Sequence, residues 1–176
     1  GLFLAPHKRV IDQSTNPNAY NIQSGSLLLP GTLLIPDKEN KHKLVILVHG
    51  SGPNDRDETL GQIKPFKDLA DGLLRNGIAS YRYDKRTFVN ASSLPSNFTI
   101  DDEVTNDVLN IIQHFSNNDT FRNYKLYVIG HSLGAMMAPR IAKKSAHKIS
   151  GIIMMAAPAR KLSDLVLEQT KYLDSL

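Results

Sequence analysis

From residue 44 onward, continuous apolar runs alternate with stretches whose apolar positions recur at helical spacing. Leu44 to Val48 is unbroken apolar chain, the pattern of a central strand buried on both faces. Phe66, Leu69, Ala70, Leu73 and Leu74 follow at helical spacing, with Pro65 suited to the first helical position and Asn76-Gly77 to the stop. Ile78 to Tyr83 reads as a second parallel strand ending at Asp84-Lys85-Arg86, and the polar stretch through Asn90, Ser92, Ser93, Pro95 and Asn97 as a loop. Thr99 with Asp102 forms a capping box ahead of Val104, Val108, Ile111, Ile112 and Phe115, a spacing that only a helix places on one face. Lys125 to Ile129 is the next strand. Met136, Met137, Ile141 and Ala142 resume a helix in which Pro139 should cause a kink, and Ile149 to Met155 is a further buried strand. The tail from Leu162 through Leu173 has the pattern of an amphipathic helix.

Strand and helix in alternation predict an α/β fold, a mostly parallel sheet with helices on both faces. Ahead of it, Ser26 to Leu29 and Thr32 to Ile35 flank Pro30-Gly31 and read as antiparallel edge strands, because a two-residue turn cannot make a parallel crossover. The organisation expected is a lead-in over 1–24 and a core over 25–160.

Length and composition narrow the function classes. At 176 residues the chain is one domain with a core that needs no disulfide or metal staple. The net charge of +4 comes from scattered Lys and Arg, so no basic stripe marks a nucleic-acid partner. The absence of cysteine excludes a disulfide framework, a thiol nucleophile and a thiolate zinc site. Gly1-Leu-Phe-Leu-Ala-Pro is too short for a secretory apolar region, so the expectation is a soluble protein, cytoplasmic, with no membrane partner. The opening glycine fits a fragment of a longer chain.

The candidate chemistry lies where strands meet loops. Gly130-His131-Ser132-Leu133-Gly134 follows a strand and opens a helix, the G-x-S-x-G context that lifts a serine hydroxyl above a sheet as a nucleophile. The Leu133 N–H, at the positive end of that helix, is a candidate oxyanion donor. His49-Gly50-Ser51-Gly52 leaves the end of a neighbouring strand, and its Ser51 N–H is the second candidate donor. His49, Gly50, Asp84 and His131 are candidates to line the pocket or brace the loops. For His49 the choice lies between a packing residue and a base, and His131 reads as a buried neighbour of Ser132. His147 alone among histidines follows Ser132, but it precedes a strand and so belongs at the edge opposite the chemistry. Asp164 reads as part of a solvated helix face. Asp55, Arg56, Asp57 and Glu58 read as loop salt links, and no metal or other cofactor is implied.

The stretch His49 to Glu58 (HGSGPNDRDE), Lys64 to Ala70 (KPFKDLA), Tyr81 to Arg86 (YRYDKR) and Gly130 to Ala135 (GHSLGA) resemble α/β-hydrolases, specifically bacterial carboxylesterases, over roughly residues 25–160. The resemblance implies hydrolysis of short-acyl esters through an acyl-enzyme on Ser132, with a small-molecule ester as substrate. It also implies a helical cap, of which 161–176 would be the start, then two strands, an Asp loop and a His loop; the sequence stops before these. The expectation is therefore a hydrolase core without its acid and histidine, and a sheet edge open to dimerisation. The alternatives are a non-catalytic fragment that binds an acyl ligand or a partner chain, and a thioesterase or peptidase of the same fold.

Overall fold

The computed structural model describes residues 16–156. The short strands β1 (Ile22–Ser24) and β2 (Leu27–Leu29) pair with each other. Five strands make the main sheet: β3 (Gly31–Leu34), β4 (Lys43–Val48), β5 (Ala79–Tyr83), β6 (Lys125–His131) and β7 (Gly151–Met155). Their order is β3-β5-β4-β6-β7, and only β3 runs antiparallel to its neighbour. The helices are α1 (Pro65–Arg75), α2 (Arg86–Val89), α3 (Asn106–Ser116) and α4 (Leu133–Lys144). A wide helical turn, Asp101–Thr105, leads into α3.

Period-two alternation along β4 divides the core. Leu44, Ile46 and Val48 join Val108, Ile111, Ile112 and Phe115 of α3 and Ile141 of α4 on one face. Val45 and Leu47 join Phe66 and Ala70 of α1 and Ile129 of β6 on the other. The central strand is thus buried from both sides, which is why its sequence carries no polar break. α1 begins at Pro65 and gives way to Gly77 at φ 74°, where a Cβ would also lie 2.3 Å from the Glu39 carbonyl oxygen. The capping box forms as read: Asp102 Oδ2 accepts from the Thr99 N–H at 2.9 Å and from its hydroxyl at 2.7 Å.

Three expectations are corrected. The Pro30-Gly31 pair does not close a hairpin. β2 instead turns back on β1 across Gly25-Ser26, with Gly25 at φ 60°, while β3 leaves to pair with β5. The Asp84 N–H donates to Pro30 O at 2.8 Å, so the ladder with β5 already begins at the proline. The polar stretch after β5 is not all loop, since α2 and a 3-10 turn at Ala91–Ser93 occupy part of it. β7 is an outer strand of the described sheet rather than a buried one, with Ile153 51% and Met154 46% exposed. α4 runs through Pro139, whose missing N–H removes one rung of the helix. The expected helix from Leu162 lies outside the described residues.

Candidate active site

Ser132 stands between β6 and α4 at φ 51° and ψ −111°, a backbone conformation that is strained for any residue with a Cβ. Backbone bonds on both sides hold it there: its N–H donates to Met155 O at 3.0 Å, and its carbonyl accepts from the Met136 N–H at 3.0 Å. The flanking glycines are required by contact. A Cβ on Gly130 would lie 2.3 Å from Gly134 O, and one on Gly134 would lie 2.3 Å from Val48 O. Strand β6, helix α4 and strand β4 therefore meet backbone to backbone at this turn. Leu133 is the first residue of α4, so its N–H is among those that helix geometry leaves without an intrahelical acceptor, at the positive end of the dipole.

The loop after β4 packs directly against this turn. A Cβ on Gly50 would come within 3.4 Å of the Ser132 Cβ, 3.3 Å of Glu58 Oε1 and 3.6 Å of His131 Nδ1. Each end of Gly50 is tied. Its N–H donates to Glu58 Oε1 at 2.8 Å, and its carbonyl accepts from Lys85 Nζ at 3.0 Å and from Asn54 Nδ2 at 3.2 Å. The Asn54 amide also reaches the Ser51 and Gly52 carbonyls, at 3.0 and 3.2 Å, and so organises the whole turn. Ser51 itself is exposed.

His49 is enclosed, its ring centroid 5.5 Å from that of Phe66 and 4.9 Å from that of Tyr83. Burial, reinforced by the positive charge of Lys85, lowers its pKa to about 3, so the ring is neutral at ordinary pH. His131 was expected to be buried. Its side chain is 38% exposed, and Nδ1 lies 2.9 Å from Glu58 Oε1, because the carboxylate draws the ring toward the loop instead of into the core. Asp84 is buried, and its two oxygens accept from Arg56 Nε and Nη2, each at 2.9 Å, while Oδ1 also accepts from the Arg56 N–H at 2.9 Å. The run at 55–58 was read as loop salt links, and its ion pairs reach partners both inside the loop between β4 and α1 and outside it. Arg56 goes to Asp84 and Asp57 to Arg82 at 2.8 Å and Lys64 at 3.1 Å. Burial raises the Asp57 pKa, but Arg82 and Lys64 outweigh it and hold the carboxyl below its usual range.

Sequence reasoning gave Glu58, Asn54 and Glu103 no place in the site, and Lys85 only as part of Asp84-Lys85-Arg86, a run at a strand's end that could border the pocket or brace a turn. Lys85 and Glu58 lie inside runs that the motif reading had marked, but Glu103 has the look of an ordinary polar position at a helix start. Asp84, Lys85 and Arg86 each reach a different segment: Arg56, Glu103 and, at 2.7 Å, Asp107. His147 precedes β7, while Met155 at the far end of β7 touches Ser132, so His147 lies at the opposite edge of the sheet. Asp164 is outside the described residues. Among the described residues no three His, Asp or Glu side chains gather to hold a metal, and no helix is long and apolar enough to cross a membrane.

A mostly parallel sheet with a serine at positive φ on the turn between strand and helix defines a protein of the α/β-hydrolase class. The family model for serine aminopeptidase, S33, matches residues 39–173, and the chain belongs to this hydrolase family. It is 46% identical over 148 residues to esterase EstD of Thermotoga maritima, an alignment covering 84% of this chain and 35% of that protein. The Pyrococcus furiosus esterase Pf2001 superposes with a TM-score of 0.69 at 21% identity, over 90% of this chain and 55% of that one. A proline iminopeptidase from Mycobacterium smegmatis superposes at 0.64 with 15% identity, over 80% and 44%. These two structures share the fold. The chain thus spans about a third of the length of the esterase it matches and about half of each structural neighbour.

Proposed function

We propose that the protein is a serine hydrolase that cleaves short-chain carboxylic esters through an acyl-enzyme on Ser132. The observation that carries this reading is the strained Ser132 packed against the Gly50 loop at the carboxyl edge of the sheet. Ser132 Oγ attacks the ester carbonyl, and the Ser51 and Leu133 amides hold the oxygen as it becomes negative. The alcohol leaves, and water then releases the acid.

A base is needed to take the serine proton. His49 is a poor candidate because a pKa of about 3 leaves it too weak a base for the serine proton and aromatic rings wall it in, and His147 lies at the wrong edge. In this reading the histidine and its acid come from the part of the relatives' length that the chain does not span. The identity to an esterase supports ester substrates. A second reading, cleavage of an amide at a peptide's amino end, is favoured by the description of the matched family and by the iminopeptidase neighbour.

The test is hydrolysis of p-nitrophenyl esters from acetate to octanoate, beside aminoacyl p-nitroanilides, by the full-length protein and its Ser132→Ala variant. Ester turnover that peaks at short acyl groups and vanishes in the variant is the expected result. Turnover confined to the anilides selects the second reading, and rates unaffected by the substitution refute both.

A further inference from the structure

We propose that Lys85 orients the oxyanion donor of this hydrolase by holding the peptide group that joins Gly50 to Ser51. The proposal rests on the serine-hydrolase reading and adds to it a residue that touches neither substrate nor nucleophile. Lys85 follows β5, its side chain is 3% exposed, and its ammonium lies 3.0 Å from Gly50 O. That carbonyl and the Ser51 N–H belong to one planar trans peptide and point in opposite directions. Fixing the oxygen therefore fixes the direction of the donor.

Charge adds to direction. A cation on the carbonyl draws electron density from the amide nitrogen and makes its N–H a stronger donor, as in any chain of hydrogen bonds. Asn54, the other donor to Gly50 O, is neutral and longer at 3.2 Å. Gly50 needs such restraint because a glycine places little steric barrier in the way of a rotated peptide plane. Glu58 supplies the matching restraint on the preceding peptide, accepting the Gly50 N–H at 2.8 Å, so an anion and a cation grip the residue from its two ends.

Lys85 is itself held. Glu103 Oε1, on the wide turn Asp101–Thr105, accepts from Nζ at 2.5 Å. The groups facing Lys85 are Glu103 from that turn, Glu58 from the loop after β4, and His49 at the end of β4. Burial pushes the Lys85 ammonium down from the usual lysine range, and Glu103 and Glu58 offset part of the effect. His49 is neutral at ordinary pH. Loss of the Lys85 proton at high pH should then loosen the donor without touching Ser132.

The experiment uses the full-length protein with p-nitrophenyl butyrate as substrate and butylboronic acid as a mimic of the tetrahedral intermediate. Lys85→Met is expected to lower kcat about 10- to 100-fold, short of the loss of a whole oxyanion donor, with KM within about twofold. Boronate affinity should fall by the same factor as kcat, since both depend on the oriented N–H. Glu103→Gln should lower kcat by less than Lys85→Met does and move the alkaline limb of the kcat profile to lower pH. A folded Lys85→Met enzyme with unchanged kcat, or one whose losses fall only on KM, overturns the proposal. If that variant does not fold, the Glu103→Gln limb decides, and an unmoved limb overturns it. Ser132→Ala is assayed alongside: a wild-type rate independent of Ser132 removes the hydrolase reading and this inference with it, and shows before any Lys85 variant is compared.

Discussion

Replacing Ser132 by glycine is expected to stabilise the fold while removing the nucleophile of the proposed hydrolysis. At φ 51° and ψ −111°, Ser132 occupies a region where a residue with a Cβ is strained by about 1–3 kcal/mol. For glycine the same angles are the mirror image of ordinary extended backbone and carry no such strain. Against the relief stands the larger conformational entropy that glycine loses on folding, about 0.5–1 kcal/mol relative to alanine. The Ser132 hydroxyl makes no capping bond to α4, so its removal leaves no helix amide newly unsatisfied. The balance is a gain of about 1 kcal/mol over the Ser132→Ala protein, which keeps the Cβ and hence the strain. For a chain of this size that corresponds to about 2–4 °C in Tm. Thermal unfolding of the wild-type, Ser132→Ala and Ser132→Gly proteins by circular dichroism isolates the strain, because the alanine variant shares the loss of the hydroxyl but not the release of the backbone. A glycine variant no more stable than the alanine one would show that the turn's backbone bonds to Met155 and Met136 hold Ser132 without stored strain.

Gly134→Ala is expected to cost at least about 2 kcal/mol, since the new methyl meets Val48 O at 2.3 Å and backbone on both sides has no room to yield; urea unfolding at equilibrium reads this directly. Asp84→Ala leaves the largely buried Arg56 guanidinium without its bidentate partner and should cost about 3 kcal/mol, whereas a value below about 1 would mean that water already screens the pair. His49 gives stability a pH dependence. Its folded pKa of about 3 lies below the usual 6.5, so between these values the unfolded chain binds more protons and folding stability falls as pH falls. The contribution is complete above pH about 6.5 and is lost toward pH about 3, at up to about 1.4 kcal/mol per pH unit. Urea unfolding of His49→Gln across that range should show a shallower acid decline than the wild type, and parallel curves would assign the acid sensitivity to other groups.

What could be read from the sequence is what is local in it. β4 announces itself because Leu44 to Val48, covered on both faces, are apolar without a break. α3 does so because Val108, Ile111, Ile112 and Phe115 repeat at the period of the face they bury. Ser132 is legible because the glycines at 130 and 134 are forced by backbone contact and sit within two residues of it. The β1–β2 hairpin escaped because its strands are three residues long and one inward position is Ser24, a polar residue buried on the strength of its 2.5 Å bond to Asp107. A period of apolar residues cannot report a polar residue that the core accepts through a partner 83 positions away.

The same reasoning separates the residues proposed to react from those that hold them. Ser51, Ser132 and Leu133 lie in short motifs, since the chemistry asks for a particular backbone shape over a few residues. Glu58, Lys85 and Glu103 act across the fold: Lys85 is 35 positions from Gly50 and 18 from Glu103, and Glu58 is 73 from His131. In a sequence each is simply a charged residue, for which a solvated face is the ordinary environment. Only the fold, by bringing the end of β5 and the Asp101–Thr105 turn beside the loop after β4, sets Lys85 on the Gly50 carbonyl and Glu103 behind Lys85. A protein that kept the serine motif but replaced Lys85 and Glu103 by neutral residues would pass a motif reading unchanged. If the orientation of the Ser51 amide depends on Lys85, such a protein would be a poor catalyst despite an intact Ser132.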